Sequence, residues 1–337
     1  MLPAFLGLAG ERLDPDERAF LREAQPAGFI LFARNCRDRG QLRRLTDDLR
    51  ELAGRADLPI LIDQEGGRVA RLGPPDWPEF PAAWRFAELY RKAPISAIEA
   101  ARVNAQAIAV TLAEVGINVD CLPLLDVRRE GAHDVIGDRA LGAEPMQVAA
   151  LGRAVLDGLE AGGVCGVVKH MPGHGRAAAD SHVELPVVEA SAQELESDVA
   201  PFRALSDAPM AMTAHVLYPA WDPDHCASAS ARIIAEIVRG EIGFDGLLMS
   251  DDLAMEALSG PPAERAGAAL AAGCDVVLHC SGRLADNVEI AGALGPMSEA
   301  AGRRLERAMA RVRGRASAQD YAQLAAKRDA LLAFLQG

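Results

Sequence analysis

The sequence is poor in aromatic side chains and has no excess of positive charge. Only 4% of its 337 residues are aromatic, and its formal net charge is −13. Because binding to phosphate backbones requires a basic face, this composition argues against nucleic acid as the main partner. The same acidic balance argues against an anionic membrane surface, and no apolar run is long enough to cross a bilayer.

Cysteine pairs are also missing. The six cysteines are scattered without a C-x-x-C motif, at Cys36, Cys121, Cys165, Cys226, Cys274 and Cys280. Three of them lie in apolar runs, where free cysteine behaves as a small hydrophobe. We therefore expect reduced thiols and a cytoplasmic protein. Residues 1–10 are largely apolar but lack a basic start, which favours a first strand over a signal peptide.

Several motifs of enzyme chemistry are absent as well. No Gly-x-Gly-x-x-Gly follows the first apolar run, which argues against a dinucleotide site. The glycine pairs Gly66-Gly67 and Gly173/Gly175 do not match a phosphate-binding P-loop. No Gly-x-Ser-x-Gly is present, so a nucleophilic serine is not indicated either.

Short apolar runs alternate with longer helical patterns along nearly the whole chain. Eight runs are strand-like: 6–8, 28–32, 58–63, 117–121, 164–168, 210–215, 246–250 and 274–279. Helices are predicted after Asp14-Pro15, near the C-terminus, and at about 37–52, 94–115, 146–161, 192–206, 229–241 and 262–272. Eight strand–helix units predict an α/β fold, a closed (β/α)8 TIM barrel forming a single domain over residues 1–337. An open doubly wound sheet is the alternative.

Polar residues fall repeatedly at the ends of the predicted strands. Asp63 ends the third run, Lys169 and His170 follow the fifth, and His215 and Asp251 lie at the sixth and seventh. Active sites of barrels lie at these carboxyl ends, and scattered surface charge would not keep this phase. Each residue alone has a simpler explanation, such as a helix cap or a core histidine. Together they predict a functional site.

The loop after the fifth run holds three of the seven histidines, His170, His174 and His182, beside Asp180. Zinc is one interpretation of such a cluster. The loop lacks the His-Glu-x-x-His spacing, however, and the neighbouring Lys169 would repel a dication. We therefore predict no metal.

The remaining chemistry is that of carboxylate and imidazole. Asp251 can attack as a nucleophile. Asp180 can hold His182 in one tautomer and make it more basic. A carboxylate with a proton shuttle is the combination that retaining glycoside hydrolysis needs.

Three segments of the chain resemble glycoside hydrolase family 3. They are Ile62-Asp63-Gln64-Glu65-Gly66-Gly67-Arg68-Val69, Lys169-His170-Met171-Pro172-Gly173-His174-Gly175 and Ser250-Asp251-Asp252-Leu253-Ala254-Met255. The likeness extends from about Phe5 to the eighth run, and several long motifs in one order make it specific. Within the family the chain is similar to single-domain bacterial β-N-acetylglucosaminidases of peptidoglycan recycling.

This resemblance implies a β-N-acetylhexosaminidase that removes terminal β-linked N-acetylglucosamine with retention, through a covalent glycosyl-aspartate. The implied substrates are muropeptides (GlcNAc-1,6-anhydroMurNAc) or chitobiose-like sugars. Asp251 matches the family nucleophile, and Asp180 and His182 match its Asp-Ser-His dyad, with His182 as acid/base. The positions that match sugar-holding residues are Asp63, Arg71, Arg139, Lys169 and His170. No cofactor, metal or obligate protein partner is implied.

Two residues depart from the family pattern. Met171 replaces a usual phenylalanine, and Arg176 stands where an acidic or polar residue is common. From Gly173, Gly175 and the alanines at 177–179 we expect a mobile loop that closes over substrate, with His174 shaping its turn. A family 3 β-glucosidase and a non-catalytic sugar-binding relative are the alternatives. The chain's own dyad argues against the first, and the retention of Asp251, Asp180 and His182 together argues against the second.

Overall fold

Eight parallel strands close into a barrel in the computed structural model, which describes residues 1–335. The strands are β1 Leu2–Gly7, β2 Pro26–Leu31, β3 Ile60–Ile62, β4 Val119–Asp120, β5 Cys165–Met171, β6 Met210–Thr213, β7 Leu247–Asp252 and β8 Val276–His279. Each strand pairs with its sequence neighbours, and β1 closes the ring by pairing with β8, as Ala4 faces Val277. The predicted (β/α)8 barrel is confirmed, and the doubly wound alternative is wrong.

Two apolar layers hold the barrel together. One fills its interior with side chains such as Phe5, Ile30 and Met249. The other lies between the strands and the surrounding helices and includes Leu6, Leu31 and Leu248. Neighbouring residues of a strand point to opposite faces, so Phe5 and Leu6 serve different layers. This double burial explains why the strands are continuous apolar runs.

Ten α-helices of residues 1–335 lie outside the ring. They are α1 Pro15–Ala24, α2 Arg39–Ala53, α3 Trp84–Lys92, α4 Pro94–Glu114, α5 Pro145–Ala161, α6 Ala192–Ala204, α7 Pro262–Ala272, α8 Leu284–Ala293, α9 Glu299–Ala310 and α10 Tyr321–Leu332. Between β6 and β7 the chain forms a π-helix at Ile233–Glu241. None of the helices in this part of the chain is both long and apolar enough to cross a membrane.

The helix boundaries follow their capping residues. Asp14 caps α1 by accepting the N–H of Glu17 at 2.8 Å, as the sequence predicts. The helix predicted from residue 229 begins later, because Ala227–Ala229 form a 3-10 turn and the Ser230 hydroxyl then accepts the N–H of Ile233.

Helix α3 is absent from the sequence prediction. Its N-cap position, Ala83, has no side chain that could accept a hydrogen bond, and Pro94 begins the next helix almost at once.

Two short antiparallel hairpins stand outside the barrel. The first pairs Gln64–Gly66 with Val69–Ala70 directly after β3, and the second pairs Leu217–Tyr218 with Asp222–Cys226 after β6. Both follow the carboxyl ends of barrel strands. They therefore add walls to the end of the barrel at which the polar residues lie.

Candidate active site

A cavity of about 220 Å³ opens at the carboxyl end of the barrel. Most of its polar lining comes from residues that the sequence singles out: Asp63, Arg71, Arg139, Lys169, His170, His182 and Asp251. Asp180 does not line the cavity itself but contacts His182. His174, Ser181 and Asp252 are further polar members of the lining.

Asp63, just beyond β3, is held between two cations. Its Oδ1 lies 3.0 Å from Nζ of Lys169, and its Oδ2 lies 3.0 Å from a terminal nitrogen of Arg71. Burial alone would raise the pKa of Asp63, but the two cations lower it below its ordinary value. Asp63 is therefore an ionised acceptor with a fixed orientation, suited to binding sugar hydroxyl groups.

Glu65 is a partner of the site that the sequence analysis missed. Its Oε1 lies 2.7 Å from Nζ of Lys169, and both of its oxygens accept from the guanidinium of Arg139, at 2.8 and 2.9 Å. Burial works against the charge of Glu65, but Lys169 and Arg139 lower its pKa well below the ordinary value. Glu65 belongs to the quoted Asp-Gln-Glu-Gly-Gly motif, and that was the available signal.

Lys169 thus bridges two carboxylates inside the barrel. Its side chain is 2% exposed. Burial alone would lower the pKa of Lys169, but Glu65 and Asp63 together raise it, so the ammonium stays charged. A buried charge is tolerated only when it is paired in this way.

Asp126 is a second missed partner and orients His170. Its Oδ2 lies 2.8 Å from Nδ1 of His170, while its Oδ1 accepts the backbone N–H groups of His170 and His174 at 3.2 and 2.6 Å. Burial would raise the pKa of Asp126, but the His170 ring and these hydrogen bonds lower it. The Nδ1 proton of His170 therefore faces Asp126, which leaves Nε2 of His170 for the cavity.

Asp251 is buried at the cavity wall near the end of β7, with 5% of its surface exposed. Burial raises the pKa of Asp251, but His170 and the N–H of Asp252, which donates to its Oδ1 at 2.8 Å, lower it below the ordinary value. Lys169 contributes less than His170. The ammonium of Lys169 is already paired with Asp63 and Glu65.

The neighbouring Asp252 has a different environment. Its Oδ1 accepts the N–H groups of Ala254 and Cys280, both at 2.9 Å, and so ties the end of β7 to the segment after β8. Its carbonyl oxygen lies 3.0 Å from Nε2 of His215, whose Nδ1 lies 2.8 Å from the hydroxyl of Ser228. Asp252 and His215 are therefore occupied in positioning the backbone. Of the two neighbouring aspartates, Asp251 has the carboxylate with fewer hydrogen-bond partners.

Asp180 and His182 form a close pair at the rim. Oδ1 of Asp180 lies 2.7 Å from Nδ1 of His182 and also accepts its backbone N–H at 2.9 Å. Partial burial alone would raise the pKa of Asp180. The hydrogen bonds from His182 outweigh burial and bring the pKa below its ordinary value, so the carboxylate is ionised. The His182 side chain is 61% exposed. Its Nε2 is free to face a ligand, because Nδ1 is bound to Asp180.

The first half of the loop between β5 and this pair is packed against its surroundings. Gly173 has φ +137°, and a Cβ at Gly175 would lie 1.9 Å from the carbonyl oxygen of Val127. The hydroxyl of Tyr218 donates to the carbonyl of Gly173 at 2.9 Å. The two glycines therefore permit close packing, whereas the sequence analysis read them as sources of flexibility.

The two departures from the family pattern have defined surroundings. Arg176 donates from Nε to Oδ2 of Asp198 at 2.6 Å, which fastens the loop to α6. Met171 is fully buried at the end of β5. Within residues 1–335, the structure holds no group of three His, Cys, Asp or Glu side chains arranged to bind a metal ion.

Known proteins resemble this chain in sequence and in fold. Residues 5–314 match the N-terminal domain of glycosyl hydrolase family 3. A beta-hexosaminidase of Bordetella avium is 41% identical over 284 residues, which cover 83% of this chain and 80% of that protein. NagZ from Neisseria gonorrhoeae in complex with N-trifluoroacetyl-D-glucosamine is 33% identical with a TM-score of 0.84, covering 99% of this chain and 96% of its own. NagZ of the same organism in complex with zinc ion is 32% identical with a TM-score of 0.83, at the same coverage of both chains.

These matches place the chain among the glycoside hydrolases. It belongs to glycoside hydrolase family 3, as the three sequence motifs indicate.

Proposed function

We propose that this β-N-acetylhexosaminidase is a retaining exo-enzyme that removes terminal, non-reducing N-acetylglucosamine from muropeptides. The observation that carries the proposal is the placement of a buried carboxylate, Asp251, and an imidazole, His182, in the lining of one small cavity. Asp251 has no cation paired directly to it in residues 1–335, so it is free to form a bond with the sugar.

In the first step a carboxylate oxygen of Asp251 attacks the anomeric carbon of the bound sugar. The glycosidic bond breaks as Nε2 of His182, protonated, gives its proton to the leaving oxygen. Asp180 stabilises the imidazolium through the 2.7 Å contact to Nδ1. The product of this step is a covalent glycosyl ester on Asp251 and a released alcohol.

In the second step a water molecule attacks the same anomeric carbon. His182, now neutral, takes a proton from that water at Nε2, and the ester bond to Asp251 breaks to restore the carboxylate. Two inversions at one carbon retain the β configuration. An imidazole can give up a proton in one step and take one up in the next, so one side chain acts as acid and then as base.

The paired charges on the opposite wall supply recognition of the sugar. The cavity wall presents hydrogen-bond acceptors for sugar hydroxyl groups and donors for hydroxyl and amide oxygens. These groups belong to Asp63, Lys169, Arg71, Arg139 and His170. Because Lys169, Arg71 and Arg139 are each paired with Asp63 or Glu65, a neutral sugar binds without leaving these three cations unpaired. A cavity of about 220 Å³ that ends in the packed barrel suits one terminal sugar ring and favours the exo mode.

The proposed substrate is a muropeptide disaccharide, GlcNAc-1,6-anhydroMurNAc, processed in the cytoplasm during peptidoglycan recycling. The named relatives and the family motifs support this choice of sugar. Six cysteines without a disulfide among residues 1–335 support a reducing compartment. We also propose that residues 1–337 form one catalytic domain, without an obligate protein partner or cofactor.

The test compares three substrates at equal concentration: an aryl β-N-acetylglucosaminide, the corresponding aryl β-glucoside, and the muropeptide disaccharide. We expect the aryl N-acetylglucosaminide and the disaccharide to be cleaved with β-configured N-acetylglucosamine as the first product, detected by NMR. Preference for the glucoside, or an α-configured first product, would contradict the proposal.

A further inference from the structure

We propose that a second cavity beside the sugar pocket binds a carboxylate of the peptide carried by the leaving group, with Arg128 as its ligand. This inference rests on the proposed function, because it assumes a muropeptide substrate. It adds a recognition site on the leaving-group side, formed by the segment between β4 and α5 and the start of α3.

The second cavity measures about 330 Å³ and shares a wall with the first. Ile136 lines both cavities, and the wall continues through neighbouring loop residues: His174 faces the sugar pocket and Gly175 faces the second cavity. A ligand that fills the sugar pocket and extends over this wall reaches the second cavity without crossing a strand of the barrel.

The second cavity lies on the side where the leaving group departs. The backbone N–H of His133, which lines the second cavity, donates to the carbonyl of Ala177 at 2.9 Å. Ala177 belongs to the loop that leads to Asp180 and His182. Because His182 must protonate the leaving oxygen, the rest of the leaving group lies next to this loop, and so beside the second cavity.

Arg128 and Trp84 form the binding surface of this cavity. The guanidinium carbon of Arg128 lies 4.6 Å from the centre of the Trp84 ring, and both side chains are partly exposed. Stacking on an aromatic face holds the guanidinium flat and leaves its N–H edge free. A guanidinium presented edge-on is the geometry that binds a carboxylate through two hydrogen bonds.

Arg128 differs from the other arginines around the two cavities in lacking an acidic partner within residues 1–335. Arg71 pairs with Asp63, Arg139 with Glu65, and Arg129 with Asp198. The acidic residues of the second cavity are Glu130 and Asp134, of which Asp134 pairs with Arg68. The cavity therefore offers one uncommitted guanidinium on an aromatic support, and a ligand carboxylate is the group that complements it.

The chemistry of the substrate supplies such a group. The second sugar of a muropeptide bears a peptide, and a peptide ends in at least one carboxylate. A charge-assisted hydrogen bond to that carboxylate strengthens binding without participating in bond cleavage. We therefore expect its loss to raise KM and to leave kcat nearly unchanged.

The experiment uses the full-length enzyme and three substrates: the peptide-free disaccharide, the disaccharide with a short peptide bearing free carboxylates, and the same compound with those carboxylates amidated. For Arg128→Gln we expect KM to rise about tenfold on the carboxylate-bearing substrate alone. The matched control is Arg91→Gln, since Arg91 contacts the same tryptophan ring at 5.5 Å but does not line the cavity. We expect this control to leave all three substrates unaffected.

Each other outcome has a distinct meaning. Equal effects of Arg128→Gln on all three substrates, or no effect on any, would overturn the carboxylate site while the proposed function stands. A preference for both peptide-bearing substrates that is independent of amidation would also overturn it. If the wild-type enzyme cleaves aryl N-acetylglucosaminide but none of the disaccharides, the proposed substrate itself is wrong.

Discussion

Oδ1 of Asp180 lies 2.7 Å from Nδ1 of His182, so the carboxylate determines which nitrogen of the imidazole faces the cavity. The same oxygen accepts the His182 backbone N–H, which fixes the two residues as one unit. An exposed histidine without such a partner exchanges among several rotamers, so the contact with Asp180 favours one orientation of the imidazole. The pair is therefore suited to the acid and base role that we propose for His182.

Asp180→Asn should lower kcat/KM, which reports the first step, most for substrates whose leaving group needs protonation. The amide cannot stabilise the imidazolium, so we expect a loss of about 10²-fold or more on the disaccharide and a much smaller loss on a dinitrophenyl glycoside. Steady-state kinetics on both substrates measure the difference. His225→Ala is the matched control, since that exposed histidine also pairs with an aspartate, Asp222, but lies on the second hairpin. Equal losses on the two substrates would contradict the assigned role.

Two fully buried aspartates near neighbouring strand ends should respond oppositely to amidation. Burial and the nearby Asp63 and Glu65 raise the pKa of Asp120 well above its ordinary value. Asp126 is buried as well, but the His170 ring and backbone hydrogen bonds lower its pKa. An aspartate whose pKa is raised in the folded state lowers the free energy of unfolding as pH rises above the unfolded-state pKa of about 3.9. An aspartate whose pKa is lowered in the folded state contributes stability that is present above the same pKa. At pH 7, Asp120→Asn should therefore stabilise the protein.

Asp126→Asn serves as the paired comparison and should destabilise the protein by about 1–3 kcal/mol at pH 7, because it replaces the charged acceptor of His170. Urea unfolding at pH 7 and pH 4 measures both variants. The two differences from wild type should shrink toward pH 4, where the unfolded carboxyl begins to take up its proton. A destabilised Asp120→Asn variant at pH 7 would contradict a raised pKa of Asp120.

Gly175→Ala should disturb both the fold and the site. The added methyl would meet the Val127 carbonyl at 1.9 Å, so the loop must shift, at a cost of about 1–3 kcal/mol. We expect a lower Tm and at least a tenfold fall in kcat/KM, since the shift moves the segment between His174 and His182. Gly73→Ala is the control, because its Cβ would have no neighbour within 4 Å. Wild-type activity of Gly175→Ala would show that this packing does not position the loop.

The barrel was predictable from sequence because its signal is local and repeated. Each strand is an apolar run buried on both faces, and caps such as Asp14 mark where helices begin. Helix α3 carries no such start signal and was missed. The proximity of Asp63, Lys169 and Asp251 was predictable as well, because each lies at the carboxyl end of a strand and parallel strands bring these ends to one rim.

The pairing within the site was not predictable in the same way. Glu65 and Asp126 are buried acids whose partners, Arg139 and His170, are far away in sequence, and only the folded chain shows which charges neutralise one another. The second cavity depends on Trp84, the first residue of the helix that was missed. The roles of Asp251, His182 and Asp180 remain predictions that kinetics must test.

The central claim is that Asp251 forms the covalent bond to the sugar. The most direct measurement treats the enzyme with an activated N-acetylglucosaminyl fluoride whose ester hydrolyses slowly, followed by intact mass and peptide fragmentation. We predict a mass increase of one sugar residue located on Asp251, present in Asp252→Asn and absent in Asp251→Asn. Turnover without any adduct, or an adduct on Asp252 or another residue, would contradict the account.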